Sequence, residues 1–345
     1  MARMTLSPDT SSAEASAAIR CAADKTDGAD GPRPSTGLRR FAWFVLAYNV
    51  FDILFGGVVT ATGSGAGCGN QWPLCQGAAI PQAPQFHTIV EFTHRLISGG
   101  ALLVIVVLLV WTWRATRKGN LARWAAVFAL LLVLNEAFLG ALLVTVAAHS
   151  ASQATGVYLF SCHLTNTLLL VASLTLTAEF LRSPRLRTTT ALRRGKLFFP
   201  VLGILATLLV GVTGSLVALG DVMYPSSSFL AAIQQDFSPT APLLLRLRWI
   251  HPASAFMAGA CVLWLLVQAF RRTASSRMRA LGIAVISTLL VQYLLGIFDV
   301  LLQAPTWLRI AHLLGANVFW ICLVLLTASY CLIEKSPVAM KLHVE

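Results

Sequence analysis

The sequence predicts an all-α polytopic membrane protein whose eight transmembrane helices form two parallel-repeat four-helix bundles. Three observations lead there. The 345 residues are 57% hydrophobic and only 12% charged, with a mean hydropathy of +0.73; an ordinary soluble domain carries about 25% charged residues. Eight apolar runs are long enough to cross roughly 30 Å of hydrocarbon as helices. The last four runs also repeat features of the first four. This composition excludes a soluble globular protein, a disordered one and a disulfide-rich secreted one. The net charge of +12 would suit a nucleic-acid binder, but the basic residues sit in short clusters between apolar runs. That is the pattern of cytoplasmic loops, so no nucleic-acid partner is expected.

In chain order, residues 1–38 are rich in Ser, Ala, Asp, Pro and Gly without apolar periodicity, and read as a disordered cytoplasmic tail. No secretory apolar core is present there, and Asp9, Glu14, Asp24, Asp27 and Asp30 have the wrong charge for a transit peptide. An N-terminal bundle, 39–190, holds spans at 41–62, 88–113, 121–147 and 156–181. A C-terminal bundle, 191–335, holds spans at 197–219, 244–270, 279–302 and 307–333. One side of the membrane carries Arg39 and Arg40, Arg114 to Arg123, Arg182 to Lys196, Arg271 to Arg279, and Lys335. The 63–86 and 146–156 links contain no Lys or Arg. By the positive-inside rule both termini are cytoplasmic, the chain is a multi-pass protein of the cell membrane, and the 63–86 and 220–243 loops face outward.

The repeat is visible residue by residue. Glu91-Phe92-Thr93-His94 in span 2 corresponds to Arg248-Trp249-Ile250-His251 in span 6. Glu136 to Gly140 in span 3 corresponds to Gln292 to Gly296 in span 7, and Cys162-His163-Leu164 in span 4 to Ala311-His312-Leu313 in span 8. Spans 1 and 5 share a Gly-Val-rich exit at Gly57 and Gly211. Each half has an even number of spans, so both run the same way, related by an axis along the membrane normal.

Four of the seven histidines therefore fall at matching places on spans that enter from outside: His94, His163, His251 and His312. At 1.5 Å per residue each lies roughly 9–12 Å below the outer surface. Two facing imidazoles in one bundle suit both axial positions of a haem iron. The alternative is that each histidine bonds a neighbouring helix. Zinc or copper fits less well, because no acidic or thiolate cluster completes a shell. Cys162 points about 100° away from its neighbour His163 around the helix. Three residues before each histidine, on the same helix face, stand Glu91, Phe160, Arg248 and Arg309. The two arginines either pair with haem propionates or snorkel to the interface. Glu91, a carboxylate inside the membrane, is a functional candidate. The halves thus look specialised, one for holding a cofactor and the other for chemistry.

Of seven cysteines, Cys21, Cys162, Cys261, Cys322 and Cys331 read as tail or packing residues. Cys68 and Cys75 lie in a Gly-rich outer loop, where a disulfide would be either structural or redox-active.

The loop Thr62-Gly63-Ser64-Gly65…Cys68…Trp72-Pro73-Leu74-Cys75, followed by Glu91-Phe92-Thr93-His94-Arg95, resembles the haem A synthases, over about residues 41–333. The resemblance implies oxidation of the C8 methyl of haem O to a formyl group, giving haem A for cytochrome oxidase assembly. It implies that His94 and His163 flank the substrate haem, and that His251 and His312 hold a resident haem b. By the same likeness Glu91 is the essential carboxylate acting with His94, and Cys68 and Cys75 form the outer disulfide. A haem O donor such as a haem O synthase and an electron acceptor of unnamed identity follow as partners; a homo-oligomer is compatible with the sequence. Glu136, facing Gln292 in the repeat, Asp52 in span 1, and the 76–87 stretch with His87 depart from the pattern. Two rivals explain part of the sequence: a di-haem b cytochrome oxidising a quinol, and a parallel-repeat transporter with a histidine proton relay.

The orientation is directly testable. A membrane-impermeant thiol reagent, applied to intact cells after reduction, should label Cys68 and Cys75; labelling only after the cells are opened would reverse the topology.

Overall fold

A computed structural model describes residues 34–146, 153–182, 197–272 and 275–331. Residues 1–33 of the expected tail, most of the 146–156 link, the basic stretch 183–196 and Lys335 lie outside the described residues. Among the described residues every regular element is a helix. They are α1 Thr36–Ala61, α2 Phe86–Ala115, α3 Leu121–Thr145, α4 Gln153–Arg182, α5 Phe198–Met223, α6 Phe229–Asp236, α7 Leu243–Leu247, α8 Ile250–Arg272, α9 Ser276–Leu301 and α10 Thr306–Cys331. Eight helical stretches are long and apolar enough to span a membrane, α7 and α8 together making one of them, Leu244–Arg271.

The helix starts follow capping chemistry. Ser35 accepts from the Leu38 amide at 3.1 Å, so α1 begins inside the segment expected to be tail, and Leu38 is fully buried. Asn120 caps α3 through the Ala122 amide, and Ser275 caps α9 through that of Met278. Inside the spans, hydroxyls such as Thr60, Thr145, Thr175 and Thr207 donate to the carbonyl one turn back. In hydrocarbon that is how a lone hydroxyl stays satisfied.

The largest departure from expectation is at 220–243. Here α5 runs on to Met223, and the chain then folds into α6 and α7 instead of an open loop. Ser228 caps α6, and Asp236 at its end reaches Arg248 at 2.9 Å.

In the first half α1 lies against α2 and α4, and α3 against the same two helices. In the second half α5 and α9 each lie against α8 and α10. This is the neighbour pattern of two four-helix sets. Most contacts between them come from α1, α4, α5 and α10. The matched glycines sit at that seam. A Cβ on Gly57 would meet Leu313 at 2.7 Å, and one on Gly211 would meet Leu168 at 2.5 Å. Small residues let backbones approach where two helices cross. The seam is completed by buried Trp320, whose indole N–H donates to the Leu168 carbonyl at 2.8 Å, and by Arg277 on α9, 2.6 Å from buried Glu179 on α4.

Candidate functional site

The four histidines occupy corresponding settings, one on each of α2, α4, α8 and α10. Each ring lies against a glycine of the preceding long helix. A Cβ there would stand 3.2 Å from His94 at Gly56, 3.8 Å from His163 at Gly140, 2.8 Å from His251 at Gly214 and 3.5 Å from His312 at Gly296. All four residues are half-buried. His94 and His163 interact electrostatically across the first half, as His251 and His312 do across the second. His163 stands ten residues past Gln153 (163 − 153) while His94 stands eight past Phe86 (94 − 86).

The Nδ1 of each ring faces a side chain from that same preceding helix. Asp52 Oδ1 is 3.2 Å from His94 Nδ1, and Glu136 Oε1 is 3.3 Å from His163 Nδ1. Thr213 Oγ1 is 3.2 Å from His251 Nδ1. The Gln292 amide, oriented so that its oxygen accepts from the Ala316 N–H, places its nitrogen 3.3 Å from His312 Nδ1. Asp52 and Glu136, which stood apart from the sequence pattern, thus belong to the histidine sites. Thr213 and Gln292 are functional neighbours that sequence reasoning did not single out; Gln292 was visible only as the repeat partner of Glu136.

With a polar acceptor beside Nδ1, His94, His163 and His251 have the polarity of metal-ligating imidazoles, whereas the Gln292 amide N–H directed at His312 makes that Nδ1 an acceptor. The glycines let each ring lie close against the backbone of the neighbouring helix. Among the described residues no three His, Cys, Asp or Glu converge as they would around a bare metal ion. Pairs of imidazoles fit a haem, whose own ring supplies the other iron ligands.

Glu91 is buried and fully engaged. Its Oε2 accepts from the Cys68 amide at 2.7 Å, and its Oε1 pairs with Arg95 one turn on. Arg95 also donates to the carbonyls of Gln71 at 3.0 Å and Leu74 at 2.8 Å. Thr88 donates to the Gly67 carbonyl at 2.9 Å, and Ser64 meets His87 Nδ1 at 3.0 Å. The loop rests directly on α2, since a Cβ on Gly67 would meet the His87 carbonyl oxygen at 2.2 Å. Cys68 and Cys75 form a disulfide inside it, and both are buried, not presented on the surface. The Glu91–Arg95 pair is therefore a clamp that seats the disulfide loop one turn from His94.

In the second half Arg248 bridges Asp221 and Asp236, each at 2.9 Å, and donates to the Tyr224 carbonyl. Burial lifts the Asp236 carboxyl above its ordinary pKa, with Arg248 pulling the other way. The Nε atoms of both Arg248 and Arg309 are buried without a hydrogen-bond partner. Each retains a donor for an acid group, at a cost of roughly 1–3 kcal/mol while it is unmet.

Residues 39–324 match the family described as cytochrome oxidase assembly protein. A protein of Thermus thermophilus named protoheme IX farnesyltransferase is 41% identical over 299 residues, covering 85% of this chain and 48% of that protein. Heme A synthase of Shouchella clausii is 35% identical over 105 residues, 30% of this chain and 35% of that protein. Heme A synthase of Alkalihalophilus pseudofirmus is 40% identical over 89 residues, 26% and 30% respectively. The chain spans about half the length of the first of these relatives, and about a third of each heme A synthase.

The clamp makes a prediction. Arg95→Gln removes the guanidinium that gathers Glu91 and two loop carbonyls. The buried disulfide should then be reduced and alkylated at least several-fold faster, read by gel shift with a bulky maleimide under graded reductant. An unchanged rate would mean that the loop is held by other contacts.

Proposed function

The chain belongs to the cytochrome oxidase assembly protein family, and from that premise we propose that it is a haem A synthase, a membrane oxidoreductase converting the C8 methyl of haem O to a formyl group. The observation that carries the reading is the set of two histidine pairs, one in each half, each ring lying against a glycine and beside a polar side chain of the preceding long helix. The relatives named heme A synthase support the same assignment.

In this reading His94 and His163 flank the substrate haem O. His251 and His312 hold a resident haem b, which supplies a redox centre for electrons leaving the first half. The unmet Nε donors of Arg248 and Arg309 answer its propionates. Turning a methyl into a formyl group adds the oxygen of one water and releases four protons and four electrons. The electrons pass to an acceptor in the membrane. Protons need acceptors in the first half, and that half carries the carboxylates Asp52, Glu91 and Glu136. Both oxygens of Glu91 are occupied by Cys68 and Arg95, so its first contribution is to seat the loop over the site. Its place one turn from His94 and nearer the loop suits it to take a proton as well. The function also assigns a haem O donor as partner, cytochrome oxidase assembly as destination, and a cell-membrane location with both termini cytoplasmic.

A second reading follows from the Thermus thermophilus relative, which is named a farnesyltransferase. Transferring a farnesyl group requires a diphosphate to be bound, commonly by Mg²⁺ on grouped carboxylates. Most of the described carboxylates are instead taken up one by one: Asp52 and Glu136 lie beside histidines, Glu91 pairs with Arg95, Glu179 with Arg277, and Asp221 and Asp236 with Arg248, while Asp299 keeps an unpartnered oxygen. The oxidative reading is therefore favoured. A synthase consumes haem O; a farnesyltransferase produces it.

Glu91→Gln is nearly isosteric and keeps an acceptor for the Cys68 amide. The variant should be made and should retain haem b. It should fail to form haem A, accumulating haem O or a hydroxylated intermediate, as read by chromatography of extracted haems. Wild-type haem A from this variant would remove Glu91 from the mechanism.

A further inference from the structure

The two halves hold their histidines by groups of different charge, and this difference goes beyond the assignment of haem sites. We propose that Asp52 and Glu136 are positioning residues that set the first site apart from the second. They face the Nδ1–H of His94 and His163 with carboxylates, where Thr213 and Gln292 face His251 and His312 with neutral groups. The inference rests on the reading of the four histidines as haem ligands.

The geometry is consistent at all four rings, with the partner always on the helix that precedes the histidine's own long helix. Around the two carboxylates the neighbours present donors. Ser98 donates to Asp52 at 2.9 Å, and both Asn166 and Thr167 donate to Glu136. The carboxylates are thereby set as acceptors, and Nδ1–H is the donor each histidine offers. The Nδ1 atoms of His94 and His163 are buried and, among the described residues, make no aligned hydrogen bond; the carboxylates lie beside them at 3.2 and 3.3 Å as charge partners. In the second half the Thr213 hydroxyl lies among neutral groups only, the Val210 carbonyl at 3.1 Å, Ser254 Oγ at 3.0 Å and His251 Nδ1 at 3.2 Å. Gln292 is neutral in either amide orientation.

Glu136 and Gln292 lie four residues before the ring-facing glycines Gly140 and Gly296 (140 − 136 = 296 − 292). The same structural place is thus charged in one half and neutral in the other. Nothing in the packing requires this, because the amide fits the equivalent position. An imidazole whose Nδ1–H is drawn to an anion donates more strongly through Nε2 and stabilises the higher oxidation state of the metal it binds. The first site is accordingly biased toward ferric iron and the second toward ferrous, which directs electrons from the first half to the second.

The test uses the full-length protein purified with its haems, redox titration by absorbance, and haem content by pyridine haemochrome. Gln292→Glu should keep its haem and shift the second-half haem toward ferric. The expected size is on the order of tenfold in the ferric-to-ferrous ratio at fixed potential, about 59 mV for one electron. Asp52→Asn and Glu136→Gln should shift the first-half haem the opposite way, with altered electron-resonance g-values, and leave the second-half haem unmoved. Haem-loaded Gln292→Glu and Glu136→Gln that titrate as wild type would overturn the inference, as would loss of haem from Gln292→Glu alone. Failure of the underlying reading shows differently: His251→Ala and His312→Ala would then retain haem b.

Discussion

Inside a bilayer an imidazole nitrogen has no water to turn to, so each histidine on a spanning helix must be held by another helix. An unmet buried polar group costs about 1–3 kcal/mol, and four such rings would consume a large part of a protein's net stability. The structure places a polar side chain of the preceding helix beside every Nδ1: a carboxylate within 3.2–3.3 Å, without an aligned hydrogen bond, at His94 and His163, and Thr213 and Gln292 at His251 and His312. That placement fixes which way the rings face. The ring-facing glycines, the neighbour pattern of the helices and the matched seam at Gly57 and Gly211 are consistent with this requirement.

The same four-helix plan is used twice with different surroundings. In the first half a buried ion pair, Glu91–Arg95, seats a disulfide-closed loop over the entrance near His94. In the second half the corresponding region is folded into α6 and α7 and tied down by Arg248 between two aspartates. One half is thus covered by a loop carrying a redox-capable sulfur pair, the other by a helical cap whose arginines retain free donors. The proposed function divides a reacting site from a holding site along that contrast.

Much of this was legible in the sequence, for physical reasons. Eight apolar runs have few alternatives to eight helices once backbone groups must be satisfied internally. The four histidines stood out because the repeat placed them at matching positions. Helices α6 and α7 were hidden, because their order depends on the Asp236–Arg248 pair, twelve residues apart, and on the end of α5. Glu91 was legible as a costly carboxylate and its Arg95 partner as a neighbour one turn on, but the Cys68 amide lies 23 residues away and could not be foreseen. Asp52 and Glu136 showed only as residues out of pattern. Thr213 gave no signal, since a threonine in a membrane helix usually bonds its own backbone.

The central claim is that two histidine pairs hold haem in two chemically distinct halves. The most direct measurement is the haem content and optical spectrum of the purified full-length protein beside its four single His→Ala variants. The account predicts a low-spin six-coordinate haem b that is lost in His251→Ala and His312→Ala and largely kept in His94→Ala and His163→Ala. Equal loss of haem b from all four variants, or a colourless wild-type protein, would contradict it.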